Sequence, residues 1–286
     1  MDYKDYKLLK IKIDQFVAFV TIDNPPMNLL NFELFGELYK FLTDAESDED
    51  IKVIVFDSAD PDFFISHFDV SHIIDSSFFP EKMPPRPTEP SFFKSLMMRY
   101  RSFPKVTIVK IEGIVGGGGS EIILGFDMRF GSKEKAYFYQ PEGIFGIIPG
   151  GGGTQYLTRL MGRARALETI LGCKRFNADL AEQYGWINRA IPQAEITGFV
   201  NDLANRIALI PSKNIGFLKQ AVVAAEDLSI SEGLIEEDHL FNRSIRLPES
   251  RRIMKEYINK GCQTREVEID SKKQIEKLMK IIKNLH

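Results

Sequence analysis

Apolar and polar residues alternate at the start of the chain: Leu9, Ile11 and Ile13 interleave with Lys10, Lys12 and Asp14, the period-two pattern of a half-buried strand. A turn at Asp14-Gln15 makes the run Phe16 to Ile22 its hairpin partner, and Asn24-Pro25-Pro26 stops it. The period then changes. Phe35, Leu38, Phe41 and Leu42 recur at helical spacing, and Asn31 is placed to cap that helix. Val53 to Phe56 is unbroken apolar sequence and reads as a buried strand.

From there the chain repeats a plan without repeating its sequence. Lys52 to Asp57 and Phe63 to Phe68 read as extended and precede a helical stretch near Phe92 to Phe103. Val106 to Ile111 leads through Ile114-Val115 into a helix carrying Glu121. Met128 to Phe130 leads through a turn, Gly131-Ser132-Lys133-Glu134, to Tyr137-Phe138-Tyr139 and a helix near Thr154 to Met161. Successive strand, strand, helix units predict a stacked, solenoid-like α/β core.

After Pro192 the pattern is helical. Ile196 to Leu209 and Ile215 to Ala225 have helix-like spacing, Ser231 is placed to cap Glu232 to about Ile245, and Leu247-Pro248 breaks that helix. The Lys-rich tail, Ser271 to His286, carries Ile275, Leu278, Ile281 and Ile282 on one side and reads as an additional amphipathic helix with a solvated basic face. The chain thus divides into a core, residues 1–192, and a helical region, residues 193–286.

The segment Ile74 to Phe93 fits neither part. Pro80, Pro84, Pro85, Pro87 and Pro90 oppose a regular helix or central strand, yet Phe78, Phe79, Met83, Phe92 and Phe93 are too apolar for a solvated linker. It reads as a lid over a pocket or as a loop packed on the surface.

Composition narrows the function classes. With 286 residues the chain can bury a large core. A net charge of -3 and a pI near 5.9 supply no broad positive field, so nucleic acid is not an expected partner. Cys173 and Cys262 are too few for a disulfide framework or a zinc site. No basic segment followed by an apolar stretch opens the chain and no apolar run reaches a membrane-spanning length, so no membrane insertion and a cytoplasmic location are expected.

The candidate chemistry lies in two glutamates embedded in glycine. One closes Gly116-Gly117-Gly118-Gly119-Ser120-Glu121; the other lies in Gln140-Pro141-Glu142, followed by Ile148-Pro149-Gly150-Gly151-Gly152-Gly153-Thr154-Gln155. Glycine lets backbone N–H groups approach a ligand, so two carboxylates beside such donors suggest acid/base work on an oxyanion. Taken alone, each glutamate is a surface helix residue, the ordinary fate of Glu. These motifs, together with Asp62-Phe63-Phe64-Ile65-Ser66-His67-Phe68-Asp69 before them and Asn177-Ala178-Asp179-Leu180-Ala181 after them, occur in an order that resembles the crotonase family, the enoyl-CoA hydratase/isomerase superfamily. The resemblance is densest from Lys105 to Pro192 and extends more weakly over residues 8 to about 245.

The resemblance implies a crotonase-like ββα spiral of four turns, with a C-terminal helical region that makes trimer contacts and closes over the active site. It implies an acyl-CoA substrate and no permanently bound cofactor, coenzyme A entering as part of the substrate. The amides of Phe68 and Gly118 would hold the thioester oxygen, Glu121 would orient water, and Glu142 would exchange the Cα proton. Coenzyme A would lie near the Met27 to Leu30 loop, including Met27 and Leu29, and near Ile65, Ser66, Phe68 and Gly118, met largely through backbone. The isolated Arg101 and Lys105 are left without a role. Hydration of an enoyl thioester is the leading reaction. An isomerase, a thioester hydrolase or a non-catalytic oligomeric coenzyme A-binding relative is the alternative, and a homotrimer or dimer of trimers is the implied assembly.

One position departs from the family pattern. Where Ala-Gly-Ala-Asp or Ala-Gly-Phe-Asp is common, this chain has Ser66-His67-Phe68-Asp69. The reading preferred here is a structural His67 directed away from the pocket; the alternative is an imidazole beside the thioester. His67, Asp69 and His72 lack a fourth metal ligand, so no metal is expected. Glu121 occupies the last glycine of a dinucleotide fingerprint, and Gly150 to Gln155 lacks the Lys-Ser/Thr ending of a phosphate loop, so neither NAD nor ATP is implied.

Overall fold

A computed structural model describes residues 3–75, 77, 82, 85–269 and 271–283. The first hairpin joins β1 (Leu9–Asp14) to β2 (Val17–Ile22). Its turn is Gln15-Phe16, both left-handed at φ 47° and 67°, so Phe16 lies in the connection and not in the second strand as the sequence pattern suggested. Helix α1 (Phe32–Ser47) follows, capped as expected by Asn31, whose side chain accepts from the Leu34 N–H at 2.9 Å.

The chain then makes β3 (Val53–Ser58), β4 (Phe63–Ile65), α2 (Val70–Ile74) and α3 (Phe92–Ser102). A second pass gives β5 (Val106–Ile111), β6 (Ile114–Gly116) and α4 (Gly117–Ile123). A third gives β7 (Met128–Ser132), β8 (Tyr137–Tyr139), a 3-10 turn (Glu142–Phe145) and α5 (Gly153–Gly172). The elements β9 (Phe176–Asn177), α6 (Ala178–Tyr184) and β10 (Arg189–Ile191) complete the core. Each pass sends its first strand to a six-stranded sheet, order β1-β2-β3-β5-β7-β10, and its second to a four-stranded sheet, order β4-β6-β8-β9. Neighbours are parallel except in the β1–β2 and β8–β9 pairs. This is the stacked spiral that the strand, strand, helix pattern predicts.

The unbroken apolar character of β3 has a simple cause, because both faces of its sheet are covered. Ile54 and Phe56 point into the main core, with Phe41, Phe64, Tyr100, Phe138 and Trp186. Val53 and Val55 face the other way, onto α7 (Gln193–Ala208) through Ile196, Val200 and Ala204. Beyond α7 come α8 (Ser212–Asp227), α9 (Ile230–Ser244), α10 (Pro248–Asn259), α11 (Arg265–Ile269) and α12 (Ser271–Lys283). A buried cation fastens α8 to the core: Lys219 Nζ donates to Tyr100 O at 2.9 Å and Lys105 O at 3.1 Å, and pairs with Asp127 Oδ2 at 2.8 Å. None of the described helices is long and apolar enough to cross a membrane.

Several boundaries differ from the sequence expectation. Phe63 to Phe68 is a strand only to Ile65. Gly131 and Ser132 belong to β7 and not to a turn. The helix expected near Thr154 to Met161, α5, runs on to Gly172 through a kink at Gly162, which has φ 78°. Ser229, not Ser231, caps α9, in a reciprocal pair with Glu232. Pro248 does not only end α9; it opens α10 at the position where a missing N–H is harmless. Phe92 and Phe93 begin α3, as the helical reading from Phe92 has it, and so end the proline-rich segment, of which residues 76, 78–81, 83 and 84 lie outside the described residues.

Candidate active site

The site forms where the four-stranded sheet meets the N-terminus of α4. Beyond β4 the chain remains extended and Phe68 forms a bridge with Leu30: the Leu30 N–H donates to His67 O at 2.9 Å and the Asp69 N–H to Leu30 O at 3.0 Å. Leu30 makes both bonds from one side, so the Phe68 N–H turns to the other, where Gly118 lies. A Cβ on Gly118 would stand 2.8 Å from Phe68 Cβ and 3.3 Å from Phe68 N, a contact only glycine permits. Among the described residues neither the Phe68 nor the Gly118 N–H reaches a protein acceptor. Gly118 is in the first turn of α4, where amides have no intrahelical partner.

The two glutamates are not surface residues. Glu121 is 3 % exposed and Glu142 is 8 % exposed. Glu121 Oε1 accepts from the Gly151 N–H at 2.8 Å and the Gly153 N–H at 2.7 Å, so the second glycine run locks one carboxylate oxygen and leaves Oε2 without a hydrogen bond among the described residues. Burial pushes the Glu121 carboxyl up to about 7; the two glycine amides oppose the shift and the charge of Glu142 adds to it. Burial likewise raises Glu142, against a hydrogen bond from Gln140 and the charge of His67. Both groups therefore exchange protons nearer neutrality than an ordinary carboxylate.

Gln140, quoted in a motif but given no role by the sequence, joins the pair. It is fully buried, its Nε2 donates to Glu142 Oε2 at 3.2 Å, and the same nitrogen is 3.2 Å from where a Gly153 Cβ would be. Its position two residues before Glu142 was the available signal. Among the described residues Gln140 Oε1, Ser66 Oγ and Ser120 Oγ are buried without a hydrogen-bond partner, and an unmade bond of that kind costs about 1 to 3 kcal/mol. Each belongs to one of the segments that carry the site residues.

The backbone places His67 beside the site. Gly117, at φ 49°, lies between it and Glu142: a Cβ there would be 3.0 Å from Glu142 Oε1 and 3.4 Å from His67 Cβ. The ring Nδ1 is 2.8 Å from Phe68 O. Asp69 caps α2 by accepting from the Ser71 N–H, and His72 stacks on Phe32 at 4.6 Å. Among the described residues no group of three His, Cys, Asp or Glu side chains gathers as metal ligands.

The remaining expected contacts fall on both sides of this centre. Asn28 Nδ2 ties the Met27 to Leu30 loop to Ser58 Oγ at 2.8 Å and Phe64 O at 3.1 Å, which brings half-buried Met27 and Leu29 beside the segment holding buried Ile65 and Ser66. Phe93 closes the opposite side, T-shaped to Phe68 at 5.6 Å and stacked on Phe35 at 5.0 Å. Its Cε1 is 2.5 Å, and Glu121 Oε2 is 2.8 Å, from where a Gly151 Cβ would be. A separate cavity of about 1280 Å³ lies between the end of α1, the end of α3 and helices α8 to α10. Its Arg101 pairs with Glu226 and Asp227, and its Lys105 donates to the Ala45 and Asp48 carbonyls, so both cations hold structure together.

Known proteins are similar to this chain in sequence and in fold. The pattern described as Enoyl-CoA hydratase/isomerase matches residues 12–265. The Short-chain-enoyl-CoA hydratase of Clostridium acetobutylicum is 27% identical over 245 residues, covering 85% of this chain and 92% of its own. A crystal structure of an enoyl-CoA hydratase from Geobacillus kaustophilus superposes with a TM-score of 0.80 at 26% identity, covering 89% of this chain and 94% of that one. A Streptomyces avermitilis structure, described provisionally as an enoyl-CoA hydratase, is 36% identical with a TM-score of 0.71 and covers 98% of this chain and 99% of that one. The two mixed sheets with helices α8 to α12 after them are the crotonase fold, and the chain belongs to the enoyl-CoA hydratase/isomerase family.

Proposed function

We propose that the protein adds water across the double bond of an α,β-unsaturated acyl-CoA thioester. The observation that carries this reading is the pair of buried glutamates, both with raised proton affinity, beside two amides that have no protein acceptor. The thioester oxygen accepts from the Phe68 and Gly118 N–H groups and takes up negative charge as the reaction proceeds; one such donor stabilises a transition state by about 2.7 to 4 kcal/mol. Glu121 Oε2 removes a proton from water, whose oxygen bonds to Cβ. Glu142 delivers its proton to Cα. Glu121 then holds the proton from water, Glu142 is ionised, and exchange with solvent resets both.

Met27, Leu29, Ile65 and Ser66 line the coenzyme A side of this reading, meeting the substrate mainly by backbone. The retention of Glu121 favours hydration over isomerisation, which can proceed with one carboxylate at the Glu142 position. Glu121→Gln and Glu142→Gln test the assignment, because each keeps size and removes proton transfer. Each should lower kcat by about 10² to 10⁴-fold with little change in coenzyme A affinity. Loss confined to Glu142→Gln would redirect the assignment to an isomerase, and full turnover in both would end it. A homotrimer or a pair of trimers, implied by the family, belongs to the same reading.

A further inference from the structure

We propose that Phe93 sets the acyl length this site accepts, standing as a wall against the carbons beyond Cβ and confining the substrate to short enoyl thioesters. The proposal deepens the hydration reading and rests on it for where Cβ lies. Three elements carry it. On α3, half-buried Phe93 has its Cε1 2.5 Å from where a Gly151 Cβ would be, and Glu121 Oε2, from α4, is 2.8 Å from the same point. One ring edge and the carboxylate oxygen left without a hydrogen bond among the described residues thus lie against one glycine. On its other side the ring meets Phe68, T-shaped at 5.6 Å and 87°.

In the hydration reading the Phe68 amide holds the thioester oxygen, and the carbon that water attacks lies within one water of Glu121 Oε2. The enoyl unit then runs from Phe68 toward Glu121. Phe93 borders both ends of that path, since its ring contacts the Phe68 side chain and shares Gly151 with Glu121. A trans chain continues from Cβ away from the carbonyl, past Glu121, to where the Phe93 ring stands over Gly151. A side chain at residue 151 would displace that ring, so the glycine is what lets the wall stand so near the carboxylate.

The wall is held in place from behind. Phe93 stacks on Phe35 of α1 at 5.0 Å and 17°, and Phe35 is itself buried. The preceding Phe92 packs on the same Phe35 at 5.3 Å and on Tyr39 at 5.2 Å, so two consecutive rings pin the first turn of α3 to α1. Leu96 and Met97, in the next turn, are buried in the main core. Swinging the Phe93 ring aside gives up its contacts with Phe35 and Phe68 together, and close-packed side chains resist such a shift. A chain that reaches the ring therefore meets a boundary. One methylene too many in an apolar pocket changes kcat/KM by about 10 to 200-fold.

Phe93→Ala removes the wall. In the wild type kcat/KM should fall from crotonyl-CoA to trans-2-octenoyl-CoA, and in Phe93→Ala the octenoyl-to-crotonyl ratio should rise by about 10-fold or more. Phe93→Leu, which keeps an apolar side chain on Phe35, should fall between the two and carries the test if alanine unfolds α3. A wild type as fast on octenoyl-CoA as on crotonyl-CoA, or a ratio that neither variant moves, overturns the wall. The second measurement needs no turnover: calorimetric titration with butyryl-CoA and octanoyl-CoA, saturated thioesters that cannot be hydrated. Octanoyl-CoA should gain on butyryl-CoA by about 10-fold or more in Phe93→Ala, because each newly buried methylene favours binding. An unchanged affinity ratio, or binding of neither thioester, overturns the wall whether or not the protein hydrates enoyl-CoA. A shifted affinity ratio without hydration retains the wall while removing the proposed function.

Discussion

Glu121 carries its charge where the surroundings disfavour one, and that has a thermodynamic consequence separate from catalysis. Its carboxyl, ordinarily near 4.5, is pushed up to about 7 in the fold, chiefly by burial. Between those values the folded state binds more proton than the unfolded chain, so this group's contribution to stability is fully present below the lower value and is lost as pH rises through the higher one. A shift of that size is worth about 3 kcal/mol. Glu121→Gln replaces the ionising acid by a neutral isostere. Its unfolding free energy relative to wild type should therefore rise between pH 5 and pH 8 by about that amount. Urea unfolding of both proteins across this range measures the difference, and a constant offset would show that the carboxyl is not penalised. The same residue that the proposed chemistry requires is then one at which the protein gains stability when its ionisable group is removed.

At the scale of elements, what was legible depended on length and on coverage. The alternation of β1, the cap at Asn31 and the apolar runs of β3 and β5 were readable because each repeats a signal over several residues. The strand β10 is three residues long and carries no period, so it was missed. The cap of α9 was misplaced by two residues because Ser229 and Ser231 are chemically alike, and only the extended backbone at Ser229 separates them. The proposed catalytic residues were readable through ordered motifs, yet their burial was not: nothing local distinguishes Glu121 from a solvated helix glutamate until the second glycine run folds over it. The hold of α8 on the core was likewise invisible, since Lys219 and Asp127 are far apart in sequence. Burial lowers the proton affinity of Lys219 and raises that of Asp127, each offset by the other's charge. Lys219→Met should cost about 3 to 5 kcal/mol, because it strands Asp127 and removes donors from the Tyr100 and Lys105 carbonyls. Proteolysis should then cut first between α7 and α9; an unaltered pattern and midpoint would mean that α8 is held by other contacts.

At the scale of the whole molecule, the chain leaves apolar surface on the helices that follow the core. On α8, Leu218 and Val222 are exposed, Val222 at 71%, and on α9 so are Leu234, Ile235 and Phe241, Ile235 also at 71%. Close to the proposed site, Ile144, Phe145 and Ile148 are exposed too. Helices α8 and α9 pack against each other while these positions stay exposed, and apolar exposure of this kind suits a face that meets a partner. A second and third copy of this chain are the occupants that family membership favours, with the α8–α9 hairpin as part of the contact. Sedimentation at micromolar concentration should give a species of three or six chains of 32.6 kDa. The double substitution Leu234→Glu and Ile235→Glu puts charges on the exposed face of α9 without touching its buried Leu240, so it should shift the protein toward smaller species while far-UV circular dichroism stays helical. A monomeric wild type would remove the assembly. A variant that sediments as wild type would move the interface away from α9.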